Sequence, residues 1–339
     1  MKPATRPRSE PGTERLLYVD PAHDRFAHHV ARDLPDLLGA GDLMVVNDAA
    51  TLPASLAVTG QSLEVRLVRR GPTDAEWFVI LLGAGDFRSP TEERGPPRAV
   101  CEGEELDFGA GLSAAVTGVD LELPRLVEIR FHLRGAALLS ALYRCGRPVQ
   151  YAYLERELAL WHFQNRFAAR PWALELPSAG HCLTWETLLR MRARGVGIAH
   201  VTHAAGISST GSLALDERLP FPERYEIALS TVQSIERTKD AGGRVVAVGT
   251  TVVRALEACQ AEHGRLRAGE GEARLVIGPG FRPRVADGIL SGMHEPTTSH
   301  YALLQAFAPR ALLERALDAA ARAEYLQHEF GDTMLILAN

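Results

Sequence analysis

The run RVVAVGTTVVRALEA at Arg244–Ala258 places one glycine and two threonines between an apolar strand and a helix. A turn of this kind aims backbone N–H groups outward at the start of a helix, where the dipole favours an anion. Gly249, Thr250 and Thr251 are therefore candidate contacts to a carboxylate or phosphate. Arg254, one turn further on, can add a guanidinium fork. A plain strand-to-helix turn with threonine caps has the same spacing, and spacing alone favours that plainer reading. Pro279-Gly280 and Asp287-Gly288 read as turns close behind a strand. His294, in Gly-Met-His-Glu-Pro, is either an acid or base near neutral pH or a loop histidine bonded to backbone.

Other chemistries find little support. His181-Cys182 are neighbours on a loop with no third group to orient them, which argues against a thiol nucleophile. His200 and His203 differ by an odd number and face opposite sides of a regular strand, so no metal site is expected. Lys2 and Lys239 are the only lysines, which disfavours Schiff-base chemistry. There is no G-x-x-x-x-G-K-[ST] phosphate loop. The four cysteines, Cys101, Cys145, Cys182 and Cys259, never approach C-x-x-C spacing.

These residues need a scaffold, and 339 residues that are 46% hydrophobic supply about two domains. A net charge of -5 excludes a globally basic nucleic-acid magnet. The first residues lack the apolar stretch of a signal peptide, and no apolar run reaches the ~18 residues of a membrane span. The expectation is a cytoplasmic protein without membrane contact. Asp42–Asp48 reads as a buried strand. Six short strand candidates between Ser55 and His132 suggest an antiparallel barrel, followed by a helix at Ala136–Tyr143. Beyond Thr184 helices and strands alternate, with strands at Val196–Val201, Tyr225–Leu229, Arg244–Val248, Ala273–Ile277 and Thr333–Leu337. This pattern predicts an α/β fold with a largely parallel sheet carrying an inserted small antiparallel β-barrel. The expected division is 1–54 with 149–339 as the α/β domain, 55–148 as the insertion, and 1–14 as a disordered tail.

Several segments together resemble one family, the S-adenosylmethionine:tRNA ribosyltransferase-isomerases of queuosine synthesis. They are RLLYVD (Arg15–Asp20), DLPDLLGAGDLMVVND (Asp33–Asp48), PSAG (Pro177–Gly180), VGTTVVRALEA (Val248–Ala258), PGFRPRVADGIL (Pro279–Leu290), HEP (His294–Pro296) and EYLQHEFGDTMLIL (Glu324–Leu337). The match runs through nearly the whole chain in order and spacing. The resemblance implies a catalytic α/β domain with an inserted barrel. It implies S-adenosylmethionine as co-substrate with no separate cofactor and no metal. The ribosyl portion would move to an aminomethyl-deazaguanine base in tRNA and be isomerised there, with adenine and methionine leaving. Such chemistry needs a base near the carbon beside the sulfonium, a proton donor for adenine and donors for the methionine carboxylate.

On this resemblance His294, Asp287 and Glu223 are the candidate catalytic residues. Asn47, Asp48, Ser178, Gly180, Gly249, Thr250, Thr251, Arg254, Pro279, Gly280 and Asp332 are the candidate substrate-binding residues. The chain also departs from the family pattern. Ala50 and Ser55 stand where arginines are usual, and Arg218–Glu223 lacks two histidines while keeping Glu223. An arginine that pairs with phosphate cannot become alanine without losing that contact. Two alternatives to the tRNA enzyme therefore stand at this stage: a paralogue using S-adenosylmethionine or a related nucleoside with a non-tRNA acceptor, and a non-catalytic nucleoside-binding protein. A basic patch around Arg66, Arg69 and Arg70 would favour tRNA.

Overall fold

Alternation of apolar side chains organises the larger unit. In the computed structural model, which describes residues 1–338, Leu17 and Val19 of one strand join a core on one face of a sheet, while Leu16 and Tyr18 join the core on the other. Each fully buried side chain of this size contributes about 1.5–3 kcal/mol. The sheet has nine strands, in the order Gly269–Ala273, Glu223–Ile227, Gly197–His203, Leu43–Asn47, Val245–Val248, Gly288–Gly292, Thr333–Leu337, Arg15–Asp20, Arg25–Val30. Helices Leu229–Asp240, Thr250–His263 and Arg310–Arg322 supply side chains to the first core, and Leu34–Leu37 and Trp185–Ala193 to the second.

The sheet is mixed. The four central strands, Gly197–His203 through Gly288–Gly292, are parallel, as are Thr333–Leu337 and Arg15–Asp20. The remaining four pairings are antiparallel. The expected largely parallel sheet thus holds for the centre only, because short hairpin-like returns such as Asp20–Arg25 close the edges. The parallel centre matters for function. It brings Asn47, His203, Gly249 and Gly292 to one edge, the carboxyl ends of the strands, where open α/β sheets bind ligands.

Residues 55–131 contribute a separate antiparallel sheet in the order Ser55–Ala57, Glu64–Arg70, Glu76–Leu82, Leu126–Phe131, Ser113–Val119, Glu105–Asp107. Register shifts at Leu67/Arg69 and Val116/Gly118 add curl. Among the described strands the two edges, Ser55–Ala57 and Glu105–Asp107, do not pair, although Thr59 N–H donates to the Asp107 carbonyl at 2.7 Å, so the sheet is a curled half-barrel. Glu105–Asp107 forms one edge, pairing only with Ser113–Val119 among the described strands.

The first residues are ordered, contrary to expectation. Lys2–Pro3 pairs in parallel with Leu326–Gln327, Ala4 is buried, and Arg8 forms an ion pair with the buried Asp332 at 2.5 Å. Their Pro/Arg/Ser composition concealed a docked segment whose partners lie some 320 residues later. No helix among the described residues is long and apolar enough to cross a membrane.

Candidate active site

At the carboxyl edge of the parallel strands lies a cleft of about 530 Å³. Val248 ends its strand, Gly249 takes φ +95°, and the helix Thr250–His263 begins without a side-chain cap. Only glycine adopts that conformation at little cost. The helix start faces the cleft with Gly249, Thr250 and Thr251 in its wall, together with Ser178 from a short 3-10 turn.

Glu223 and Arg254 meet in this wall. Arg254 is buried and its Nη1 donates to Glu223 Oε2, while its Nη2 donates to the Ala273 carbonyl at 2.9 Å. Gly206 N–H donates to Glu223 Oε1 at 2.6 Å. A Cβ on Gly206 would lie 2.8 Å from that oxygen, so the absence of a side chain permits the contact. Burial pushes the Glu223 carboxyl up to about 7, against the opposing pull of Arg254. His203 lies 3.5 Å behind Glu223, fully buried, and desolvation holds it well below the ordinary histidine range. Arg254 was expected as a free fork for an anion; the structure instead spends its Nη groups on Glu223 and backbone carbonyls.

His294 faces the same cleft from the loop after Gly288–Gly292. Its Nε2 lies 2.8 Å from Ser291 Oγ, and its ring stacks on His300 at 4.9 Å. Burial, reinforced by the neighbouring histidines, keeps His294 well below its ordinary value and therefore neutral at neutral pH.

The cleft is rich in acid. Glu92, Glu175, Asp216, Glu223, Glu295 and Glu329 line it, against the single cation Arg254. Burial raises Glu329 to about 7 and raises Glu175 as well. Glu175 accepts from Tyr151 and from Ser208 N–H at 2.8 Å, and His328 stacks on Tyr153 at 4.3 Å. Sequence reasoning passed over Glu175, His300, His328 and Glu329. His328-Glu329 lie inside the tail segment Glu324–Leu337, four and three residues before Asp332, and are the available signal. Among the described residues no three His, Cys, Asp or Glu side chains are grouped as metal ligands would be.

The other expected residues lie outside this cleft. Asp287 sits at the opposite, amino edge of the parallel strands, where it binds Lys239 at 3.1 Å and accepts from Val245 N–H at 2.8 Å. That distance along the strand removes it from acid/base work at His294. Asp332 is buried as an anchor, accepting from Arg15 N–H and Leu326 N–H at 2.7 Å each. Asn47 is a buried clamp beneath the turn, donating to the His203 carbonyl at 3.0 Å and reaching Thr251 Oγ1 at 3.4 Å. Asp48 accepts from Thr202 Oγ1 at 2.5 Å. Gly180 packs where a Cβ would strike Phe167 at 2.6 Å, and Pro279-Gly280 form an exposed turn. His181 and Cys182 do not pair: Cys182 is buried with its thiol pushed up to about 12, and His181 is lowered to about 4.

Comparison with known proteins bears on this geometry. The sequence profile of the family described as queuosine biosynthesis protein matches residues 2–336. An S-adenosylmethionine:tRNA ribosyltransferase-isomerase of Pelobacter propionicus is 34% identical over 344 residues, covering 98% of this chain and 95% of the relative. One from Azoarcus sp. is 35% identical over 348 residues, covering 99% and 94%. The crystal structure of an S-adenosylmethionine tRNA ribosyltransferase from Thermotoga maritima superposes with a TM-score of 0.55 at 25% identity, covering 99% of this chain and 96% of that one.

Proposed function

The chain belongs to the queuosine biosynthesis protein family, and from that premise we propose that it is an S-adenosylmethionine:tRNA ribosyltransferase-isomerase whose reaction takes place in the acid-rich cleft. The observation that carries this reading is the meeting of a buried Glu223–Arg254 pair with the Gly249–Thr251 helix start, in a cleft whose other charged groups are all carboxylates. A sulfonium is a cation, and an acidic cleft favours it. The N–H groups at the helix start suit the methionine carboxylate.

Two groups suit the proton transfers. Glu223, with its carboxyl near 7, is poised to give or take a proton at neutral pH. His294 is neutral and can accept one. Adenine departure needs a donor, and removal of a proton beside the sulfonium needs an acceptor; these two residues line the same cleft. Arg254 positions Glu223 and limits the rise of its pKa. In this reading 55–148 is an inserted unit, and the catalytic groups come from 1–54 with 149–339. A tRNA acceptor fits the cytoplasmic setting expected from the sequence.

The departures at Ala50 and Ser55 fall in a chain that matches named tRNA ribosyltransferase-isomerases along almost its full length. They are best read as changes in how the acceptor is held. The test is adenine and methionine release from S-adenosylmethionine by purified protein, with and without tRNA carrying the aminomethyl-deazaguanine base. Release that depends on this tRNA is expected; release without it, or none with it, would redirect the reading to another acceptor.

A further inference from the structure

A second cleft, of about 650 Å³, opens between the curled sheet and the nine-stranded sheet. It adjoins the first, since Glu223 lines both and Ala204 of one wall precedes Ala205 of the other. The second cleft differs in holding three arginines, set among the carboxylates Asp74, Glu223, Glu270 and Glu272. Arg69 and Arg70 line the second cleft, and neither makes an ion pair among the described residues. Their charges rest on aromatic faces: Arg69 lies 3.5 Å from the centre of the Phe78 ring and Arg70 5.8 Å from that of Trp77. A third arginine, Arg224, stacks 4.1 Å from Trp172 and is paired with Glu270.

Arg69 owes its position to an irregularity. In a regular strand it would follow Val65 and Leu67 into the half-barrel core. The register shift at Leu67/Arg69 inserts one residue and turns Arg69 outward. Bulges often re-aim a side chain in this way. Arg66, by contrast, is buried and paired with Glu64 at 2.6 Å, so the expected basic patch is reduced to Arg69 and Arg70. Desolvation works against the charge of both and outweighs the pull of the nearby carboxylates, Glu272 and Glu128 for Arg69, Asp74 and Glu270 for Arg70.

We infer that this second cleft holds backbone phosphates of the RNA nucleotides flanking the acceptor base, with Arg69 and Arg70 as the phosphate contacts. The inference rests on the tRNA reading above. Three observations carry it: two arginines preorganised on aromatic rings without an ion pair among the described residues, a bulge that turns the half-buried Arg69 away from the half-barrel core, and a shared wall with the catalytic cleft. A base seated beside Glu223 leaves its neighbours within reach of the second cleft.

The test measures binding of fluorescently labelled tRNA carrying the aminomethyl base to wild type, Arg69→Ala/Arg70→Ala, Arg70→Ala alone and Arg69→Lys/Arg70→Lys, from 50 to 200 mM salt. Arg70 is exposed, so the single variant guards against misfolding of the double one. Expected are a Kd at least tenfold weaker for the double alanine variant, a salt slope reduced by about one for each phosphate contact removed, partial rescue by lysine, and S-adenosylmethionine affinity within twofold of wild type. Wild-type tRNA affinity and slope in both alanine variants would overturn the inference while leaving the tRNA reading intact. Displacement of tRNA by inorganic phosphate at constant ionic strength would also overturn it, marking a free-anion site. Failure of the wild type to bind tRNA at all would sink both.

Discussion

Replacing Glu223 by glutamine tests the electrostatics of the cleft. The ordinary carboxyl value is 4.5 and burial raises it to about 7. The folded state therefore holds this proton more tightly than the unfolded chain. Its contribution is fully present below 4.5 and is lost as pH rises through 7. The rise from 4.5 to about 7 corresponds to about 3 kcal/mol. Glutamine does not titrate and keeps the shape, so its amide oxygen can still accept from Gly206 N–H. Below about pH 7 the folded protein holds this carboxyl protonated, so glutamine imitates the wild-type state there and removes a counter-charge of Arg254 only at higher pH. Only the difference between the two proteins is informative, because other groups titrate in both. Between pH 4.5 and 8 the stability of Glu223→Gln relative to wild type should rise by about 3 kcal/mol, read from urea unfolding at each pH. The same substitution should lower kcat/KM by about 10²-fold or more and abolish the inflection near pH 7. Parallel stability curves together with an unchanged pH–rate profile would refute the reasoning.

Other perturbations probe different links. His294→Asn should lower turnover by about 10²-fold, and the wild-type ring should stay neutral at pH 6 by NMR; a protonated ring there would remove it as the base. Gly249→Ala forces a Cβ onto φ +95° and should weaken S-adenosylmethionine binding while costing about 1–2 kcal/mol of stability, measured by calorimetry and denaturant unfolding. Asp287→Ala should leave kcat within about threefold, since Asp287 lies at the far edge of the sheet; a loss near that of His294→Asn would restore it to the mechanism. Asp332→Ala leaves Arg8 and two backbone N–H groups without their acceptor and should cost about 3 kcal/mol. Limited proteolysis should then cut within the first fourteen residues.

Local signals located much of this architecture. Thr184 caps the helix Trp185–Ala193, its side chain accepting from Thr187 N–H at 3.1 Å, as threonine before a helix commonly does. The Gly249–Thr251 turn is where strand and helix patterns meet, and it does face the cleft. What escaped depends on contacts distant in sequence. The strand Gly288–Gly292 carries two glycines in five residues, and its place between two other strands is decided by packing rather than propensity. Gly269–Ala273 was displaced from the expected Ala273–Ile277 by its pairing with Glu223–Ile227. Within the site, Glu223 and His294 were visible because motif segments contained them. The burial that shifts both groups, and the neighbours that modulate it, Arg254 and Gly206 at Glu223 and His300 and His328 at His294, arrive from different loops and helices. Asp287 shows the reverse: proximity to His294 in sequence places it at the other end of a strand.

The central claim is that the ribosyl portion of the donor, not its methyl group, reaches RNA. The direct measurement is transfer of label from S-adenosylmethionine, radiolabelled either in the ribose or in the methyl group, to tRNA carrying the aminomethyl-deazaguanine base. The expected result is ribose label in the tRNA, with one adenine and one methionine released for each ribose transferred, and no methyl label. Methyl label in the tRNA, or no ribose label under conditions where both substrates bind, would contradict the account.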